Sequence, residues 1–250
     1  MEILVNGMHM YFEVTGDGEP LLLLHGFTGI GSDWNIVFPK MPDKFRCILP
    51  DLRGHGRSTN PLSEYSFRQS ALDVYTLLDS MGFDKFKAIG VSGGGQTLLH
   101  MATQQPGRVE AMVLVSSAPY FPEQARAIMR QMTPESHSEA EWGMMRRRHV
   151  HGDDQIRALW KQAHGLHRSF TDVNFTPPYL STITARTLIV HGDRDPLYPI
   201  HIPCELYQSI PASQLWIVHN AGHALIFQNQ APHFAETALS FLIDAASAEA

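Results

Sequence analysis

Leu21-Leu22-Leu23-Leu24 is a short, wholly apolar run closed by His25-Gly26. Such a run suits a strand buried on both faces, as in a parallel sheet. The pattern returns at Phe45 to Leu49, Phe86 to Val91, Val109 to Val115, Thr187 to Val190 and Leu215 to Val218. Helical patterns lie between. In 66–81, Ala71, Val74, Leu77, Leu78 and Met81 recur at helical spacing, with Gly82 as the C-terminal stop. Further helices are expected over Gly94–Gln105, ended by Pro106, and over His201–Ser209 and His233–Ala245. The opening reads as a hairpin, Ile3 to Val5 and Met10 to Val14 about an Asn6-Gly7 turn. Strands alternating with helices imply an α/β fold with a mainly parallel sheet.

One section breaks the alternation. From Pro119 to about Leu180 no buried strand is evident, while Met132, Trp142, Met144-Met145, Trp160 and Phe170 punctuate helix-forming, charged segments before Pro177-Pro178. We read 119–180 as a helical insertion, a cap, within one core formed by 1–118 and 181–250. The 250 residues are 44% hydrophobic, enough for a substantial core, which excludes disorder. A net charge of -6 argues against broad binding to nucleic acid or anionic lipid. No apolar stretch approaches the roughly 18–20 residues of a membrane span. The opening Met1–Gly7 lacks the basic and apolar regions of a signal peptide, so a cytoplasmic location is the expectation. Two distant cysteines, Cys47 and Cys204, make neither a disulfide scaffold nor a Cys-rich zinc site.

The chemistry centres on Gly90-Val91-Ser92-Gly93-Gly94. By itself Gly-x-Ser-x-Gly is a weak signal. Its context sharpens it: Ala88-Ile89-Gly90-Val91 reads as a strand end and Gly95-Gln96-Thr97-Leu98-Leu99 as a helix start. A serine on so tight a turn projects its hydroxyl above the sheet, and the flanking glycines relieve crowding. The backbone N–H groups that follow face a developing oxyanion at a positive helix terminus. A phosphate-binding loop is the competing interpretation, but neither Gly-x-Gly-x-x-Gly with a spaced acidic residue nor Gly-Lys-Ser/Thr occurs.

With this elbow in place, nearly the whole chain resembles the α/β-hydrolase superfamily. Four more stretches carry the likeness in order: His25-Gly26-Phe27, Asp51 to Ser58, His191-Gly192-Asp193-Arg194-Asp195-Pro196, and Asn220-Ala221-Gly222-His223. The resemblance implies an α/β-hydrolase fold and an enzyme in which Ser92 is the nucleophile. A serine hydroxyl needs a base within hydrogen-bonding reach. Among 14 histidines the one matching the family position is His223, in a late loop. The base needs an acid to fix its tautomer. Asp193 and Asp195 both qualify by type; the family's Gly-x-x-Asp pattern points to Asp195, leaving Asp193 to stabilise the loop. Ser116-Ser117-Ala118 offers no carboxylate for relatives' alternative placement one strand earlier. The implied oxyanion donors are the backbone N–H groups of Phe27 and Gly93. Families usually place a larger residue after the nucleophile, so Gly93 is expected to leave extra room.

The implied reaction is cleavage of a small to medium hydrophobic carboxylic ester, a small-molecule partner, with no cofactor and no metal. C–C bond hydrolases, lactonases, acyltransferases, cofactor-free haloperoxidases and the menaquinone-pathway synthase share the scaffold. His25-Gly26-Phe27-Thr28-Gly29 with Asp33-Trp34 also looks like that synthase. Ser92 separates the chain from dehalogenases and epoxide hydrolases that use an aspartate nucleophile. A ligand receptor with slow turnover is the alternative of another class. Asp51 to Ser58 is expected to shape a loop. Arg146-Arg147-Arg148 is expected to be a solvated helix face. His25 stands in the stretch that matches the family's oxyanion loop; His191 and His219, at strand ends, are expected to pack or bond to backbone, and His149, His151, His164 and His167 to be surface or packing residues, there being no ligand framework for a metal. Some methionines of the insertion are candidates to line a pocket.

Overall fold

The computed structural model describes residues 1–41, 43–61, 64–227 and 229–243. A hairpin opens the chain: β1 (Glu2–Val5) pairs antiparallel with β2 (Met8–Thr15). Asn6 and Gly7 both have positive φ, 43° and 78°, as a two-residue turn matching strand twist requires. Then follow β3 (Glu19–Leu24), α1 (Trp34–Val37), β4 (Phe45–Pro50), α2 (Phe67–Ser80), β5 (Phe86–Val91), α3 (Gly93–Gln104) and β6 (Val109–Val115). After four helices come β7 (Arg186–Gly192), α8 (His201–Ser209), β8 (Ser213–Val218) and α9 (Ala231–Ile243). The eight strands form one sheet in the order β1-β2-β4-β3-β5-β6-β7-β8. From β4 to β8 every neighbouring pair is parallel; β2 meets β4 antiparallel.

The leucine run explains the layering. All four side chains of Leu21 to Leu24 are fully buried. Alternation sends Leu22 and Leu24 to one face, with Ala71, Val74 and Leu77 of α2 and Leu98 of α3. Leu21 and Leu23 go to the other, with Trp34 of α1 and Phe234 and Ala238 of α9. A strand with two buried faces needs helices on both sides. β8 departs from this expectation. It lies at the sheet edge, so Leu215, Trp216 and Ile217 are only half-buried and Val218 alone is buried.

The helix ends follow local chemistry. Ser66 caps α2 by accepting from the Gln69 N–H, and Gly82 takes a φ of 73° just past its end. α9 begins two residues before the expected His233, because Pro232 in its first turn has no partner to lose. Residues 244 and 245 of that expected helix lie outside the described residues. Below the hairpin, Arg53 makes a buried two-pronged pair with Asp73, 2.8 and 2.9 Å, tying the loop after β4 to α2.

Between β6 and β7 run α4 (Glu123–Met129), α5 (Glu139–Arg148), α6 (Asp153–Gly165) and α7 (Pro177–Leu180). Apart from an isolated bridge between Tyr120 and Asn174, no strand occurs there among the described residues. Pro177-Pro178 forms the first turn of α7, where proline is tolerated. Trp142 and Met145 of α5 and Ile156, Leu159 and Trp160 of α6 form a small apolar cluster of their own. No helix among the described residues is long and apolar enough to cross a membrane.

Candidate active site

Three loops at the C-terminal ends of parallel strands converge here: those after β3, β5 and β7, with the loop after β8 closing over them. Ser92 sits between β5 and α3 with φ 50° and ψ −115°. A non-glycine residue in that region costs of order 1–3 kcal/mol. It is held there by its own N–H donating to Val115 O, 2.8 Å, and its carbonyl accepting from Gly95 and Gln96. The glycines are needed for contact. A Cβ on Gly94 would strike the carbonyl oxygens of Leu24 and His25, and one on Gly95 the Ser117 hydroxyl. Gly93 does not leave the room expected of it. A Cβ there would lie 3.1 Å from both Phe27 N and Phe67 Cε1, so Phe27 and Phe67 already fill that space.

His223 Nε2 lies 2.8 Å from Ser92 Oγ, and its Nδ1 lies 2.7 Å from Asp195 Oδ2. The other Asp195 oxygen accepts from the N–H groups of Leu197, 2.8 Å, and Tyr198, 3.1 Å. Burial acts to raise the Asp195 pKa. The hydrogen bond and charge of His223, with the two amides, outweigh it and hold the carboxyl below its ordinary range. Asp193 is not part of this line. Its Oδ1 accepts from Ala221 N at 3.3 Å and so braces the loop carrying His223.

The Phe27 amide, from the loop after β3, stands 3.1 Å from where a Gly93 Cβ would lie, so the two residues are neighbours. Gly93 is the first residue of α3, so its N–H has no intrahelical acceptor. The loop holding Phe27 is pinned by three histidines. His25 donates from Nδ1 to Gly26 O, 2.7 Å, and accepts at Nε2 from Leu52 N, 2.9 Å. Thr28, at φ 65°, donates its N–H to His55 Nε2, and its carbonyl accepts from His149 Nε2. His149 also accepts at Nδ1 from Gly56 N, 2.8 Å. Each ring therefore needs one bare nitrogen and must stay neutral. Asp51, accepting from Gly31 and Arg57, fixes the same loops, in keeping with a structural part for Asp51 to Ser58.

Burial takes His25 down to about 3 and His149 down to about 4, against an ordinary 6.5, and takes His55 well below that value. Below pH 6.5 the unfolded chain binds protons at these rings and the folded chain does not. Stability is therefore expected to fall from pH 6.5 toward pH 4, each ring adding about 1.4 kcal/mol per pH unit to the slope. Urea midpoints measured from pH 7 to 4.5 test this: a His149→Gln protein should show a slope shallower by about one proton, and an unchanged slope refutes it.

The remaining cations and histidines divide. Arg146 pairs with Asp153 at 2.8 Å on the surface and Arg147 is exposed, as a solvated face requires. Arg148 departs from that expectation. Trp142, Met145 and Arg148 recur every third residue, so Arg148 shares the inward face of α5 and ion-pairs with Asp33. His191 donates to Tyr198 O, 2.9 Å. His219, by contrast, makes no backbone hydrogen bond among the described residues; its side chain is 91% exposed near the Asp193 carboxylate. His151 reaches Arg57 O, and His164 and His167 stack edge-on beside each other. Among the described residues no three His, Cys, Asp or Glu side chains gather as metal ligands.

Two cavities meet at Ser92 and His223. One, about 330 Å³, is bordered by Thr28, Asp33, Ile36, Arg148 and Phe227. The other, about 180 Å³, is walled by Phe67, Phe121, Met129, Met132, Gln96 and Tyr198. His149 and Arg148 reach this site across more than a hundred residues, and Tyr198 enters it three residues beyond Asp195; no motif singles out these contacts. Gln96 was within reach of sequence reasoning, because it lies one helical turn beyond Ser92.

Comparison with known proteins agrees with this architecture. The sequence profile of the alpha/beta hydrolase fold family matches residues 19–140. A soluble epoxide hydrolase of Corynebacterium sp. (strain C12) is 34% identical over 118 residues, 47% of this chain and 41% of that protein, so the match spans under half of its length. A serine hydrolase of Mus musculus is 27% identical over 236 residues, 90% of this chain and 80% of that protein. Among solved structures, a meta-cleavage product hydrolase from Pseudomonas fluorescens IP01 has a TM-score of 0.79 at 20% identity, covering 97% of each chain. The eight-stranded, mostly parallel sheet, the flanking helices and the matched profile agree: this chain has the α/β-hydrolase fold, and residues 19–140 carry that family's profile.

Proposed function

We propose that the chain is a serine hydrolase that cleaves carboxylic esters through an acyl-enzyme, with Ser92 as nucleophile, His223 as base and Asp195 as acid. The observation that carries this reading is the single imidazole of His223 within hydrogen-bonding distance of both Ser92 Oγ and Asp195 Oδ2. His223 removes the serine proton as Oγ attacks the ester carbonyl, and the oxyanion that forms accepts from the Phe27 and Gly93 N–H groups. One such donor is worth roughly 3–4 kcal/mol to the transition state. The tetrahedral species collapses as His223 protonates the leaving alcohol. Water, deprotonated by the same ring, then attacks the acyl carbon and releases the acid with Ser92 restored.

Residues 119–180 are the cap in this proposal. Met129, Met132 and Arg148 come from that segment and border the two cavities, so it shapes what reaches Ser92. A largely apolar wall favours a hydrophobic substrate arm. The test is a panel of p-nitrophenyl esters of increasing acyl length, with Ser92→Ala beside the parent. Rapid release that depends on Ser92 supports the proposal. Cleavage of a vinylogous diketone with no ester turnover replaces it with C–C bond hydrolysis, and tight binding with negligible release replaces it with a receptor.

A further inference from the structure

The smaller cavity is apolar except at one place. Gln96 and Tyr198 are both fully or nearly fully buried in its wall, and Gln96 Nε2 donates to the Tyr198 hydroxyl at 3.2 Å. Gln96 Oε1 is buried with no hydrogen-bond partner among the described residues. A buried amide oxygen left unpaired is destabilising, and proteins keep few of them. Phe67, Phe121, Met129 and Met132 around it offer no donor. The rest of the pair is firmly set. Tyr198 is fixed by its N–H on Asp195 and its carbonyl on His191, and Gln96 rides on α3 one turn beyond Ser92.

We propose that this cavity receives a substrate arm carrying a hydroxyl group, which donates to Gln96 and accepts from Tyr198. This rests on the serine-hydrolase reading above and names the substrate class of the same site. A hydroxyl both donates and accepts, so it satisfies the Gln96–Tyr198 pair whichever way round the Gln96 amide lies. Size narrows the arm. At about 180 Å³ the cavity is comparable to one of about 150 Å³ that takes up benzene. Ser92 and Gln96 both border this cavity, so the hydroxyl and the carbonyl that Ser92 attacks are separated by no more than its span, about one ring. The class is therefore esters of hydroxyaryl acids of single-ring size, with an apolar ring against the aromatic and methionine wall.

The test compares the methyl esters of 3- and 4-hydroxyphenylacetic acid with those of 3- and 4-methylphenylacetic acid, in which a methyl group replaces the hydroxyl. Binding is measured by calorimetry on Ser92→Ala protein, so no turnover is needed. At least one hydroxylated ester should bind about 10- to 100-fold more tightly than its methyl counterpart. Adding Gln96→Met, similar in volume but without the amide's donor and strong acceptor, should abolish or reverse that ratio, and Tyr198→Phe should reduce it. Thermal melting of each variant confirms folding. Equal affinity for both members of each pair, or a ratio unchanged by both Gln96→Met and Tyr198→Phe, overturns the inference. Absence of Ser92-dependent cleavage of any ester overturns the proposed reaction instead, and the binding ratio distinguishes the two failures.

Discussion

A Ser92→Ala enzyme is expected to turn over esters about 10⁵- to 10⁶-fold more slowly than the parent, and removing His223 as well should cost almost nothing more. In the proposed reaction the hydroxyl and the imidazole act as one unit. Without Oγ there is no acyl-enzyme, so His223 has no proton to take; without the imidazole, Oγ stays a weak nucleophile. The rate that survives comes from the Phe27 and Gly93 donors and from binding alone, about 10³–10⁴ above water. The fold should be little affected. Alanine keeps the Cβ, so the backbone at φ 50° is no more strained than before, and the bonds to Val115, Gly95 and Gln96 are all made by main chain. Steady-state kinetics on a p-nitrophenyl ester, with the single and double variants purified in parallel, decides the matter. A single variant that keeps more than about a hundredth of the parent rate, or a double variant that loses the product of both effects, removes Ser92 from the chemistry.

What the sequence discloses about this chain is its local and periodic part. The leucine run, the β5 strand and the Gly82 stop are written in neighbouring residues, and each lies in the fold where its pattern puts it. The boundary that moved has a local reason too, the proline in the first turn of α9. Other features depend on distance along the chain. His149 meets Thr28 across 121 residues, and Arg148 meets Asp33 across 115, so no motif carries either contact. The half-burial of β8 is likewise a fact of sheet order, because an apolar run does not state whether a strand has one neighbour or two. The candidate site lies between these cases. Ser92, Asp195 and His223 were nominated by the motifs they stand in, whereas the contacts by which His55 and His149 hold the Phe27 loop emerged from the packing.

The second large effect is expected at Asp195→Asn, a change that alters charge and proton count with almost no change of shape. The asparagine oxygen can go on accepting from the Leu197 and Tyr198 amides, which keeps the side chain in place. Its amide nitrogen then faces His223 Nδ1, where the carboxylate oxygen had been at 2.7 Å. A donor there forces Nδ1 to accept, so the ring proton moves to Nε2, the atom 2.8 Å from Ser92 Oγ. The imidazole then donates to the serine instead of taking its proton, and the positive charge it must carry in the transition state has lost its counter-charge. Together these should lower kcat about 10⁴-fold while KM for the ester changes little, because Asp195 borders neither substrate cavity. Asp193→Asn is the matched control. Asp193 touches the loop through Ala221 N and not the imidazole, so its loss should leave kcat within about tenfold of the parent. If the two variants lose activity equally, the acid has been assigned to the wrong carboxylate, and the orientation of His223 is governed by the loop as a whole.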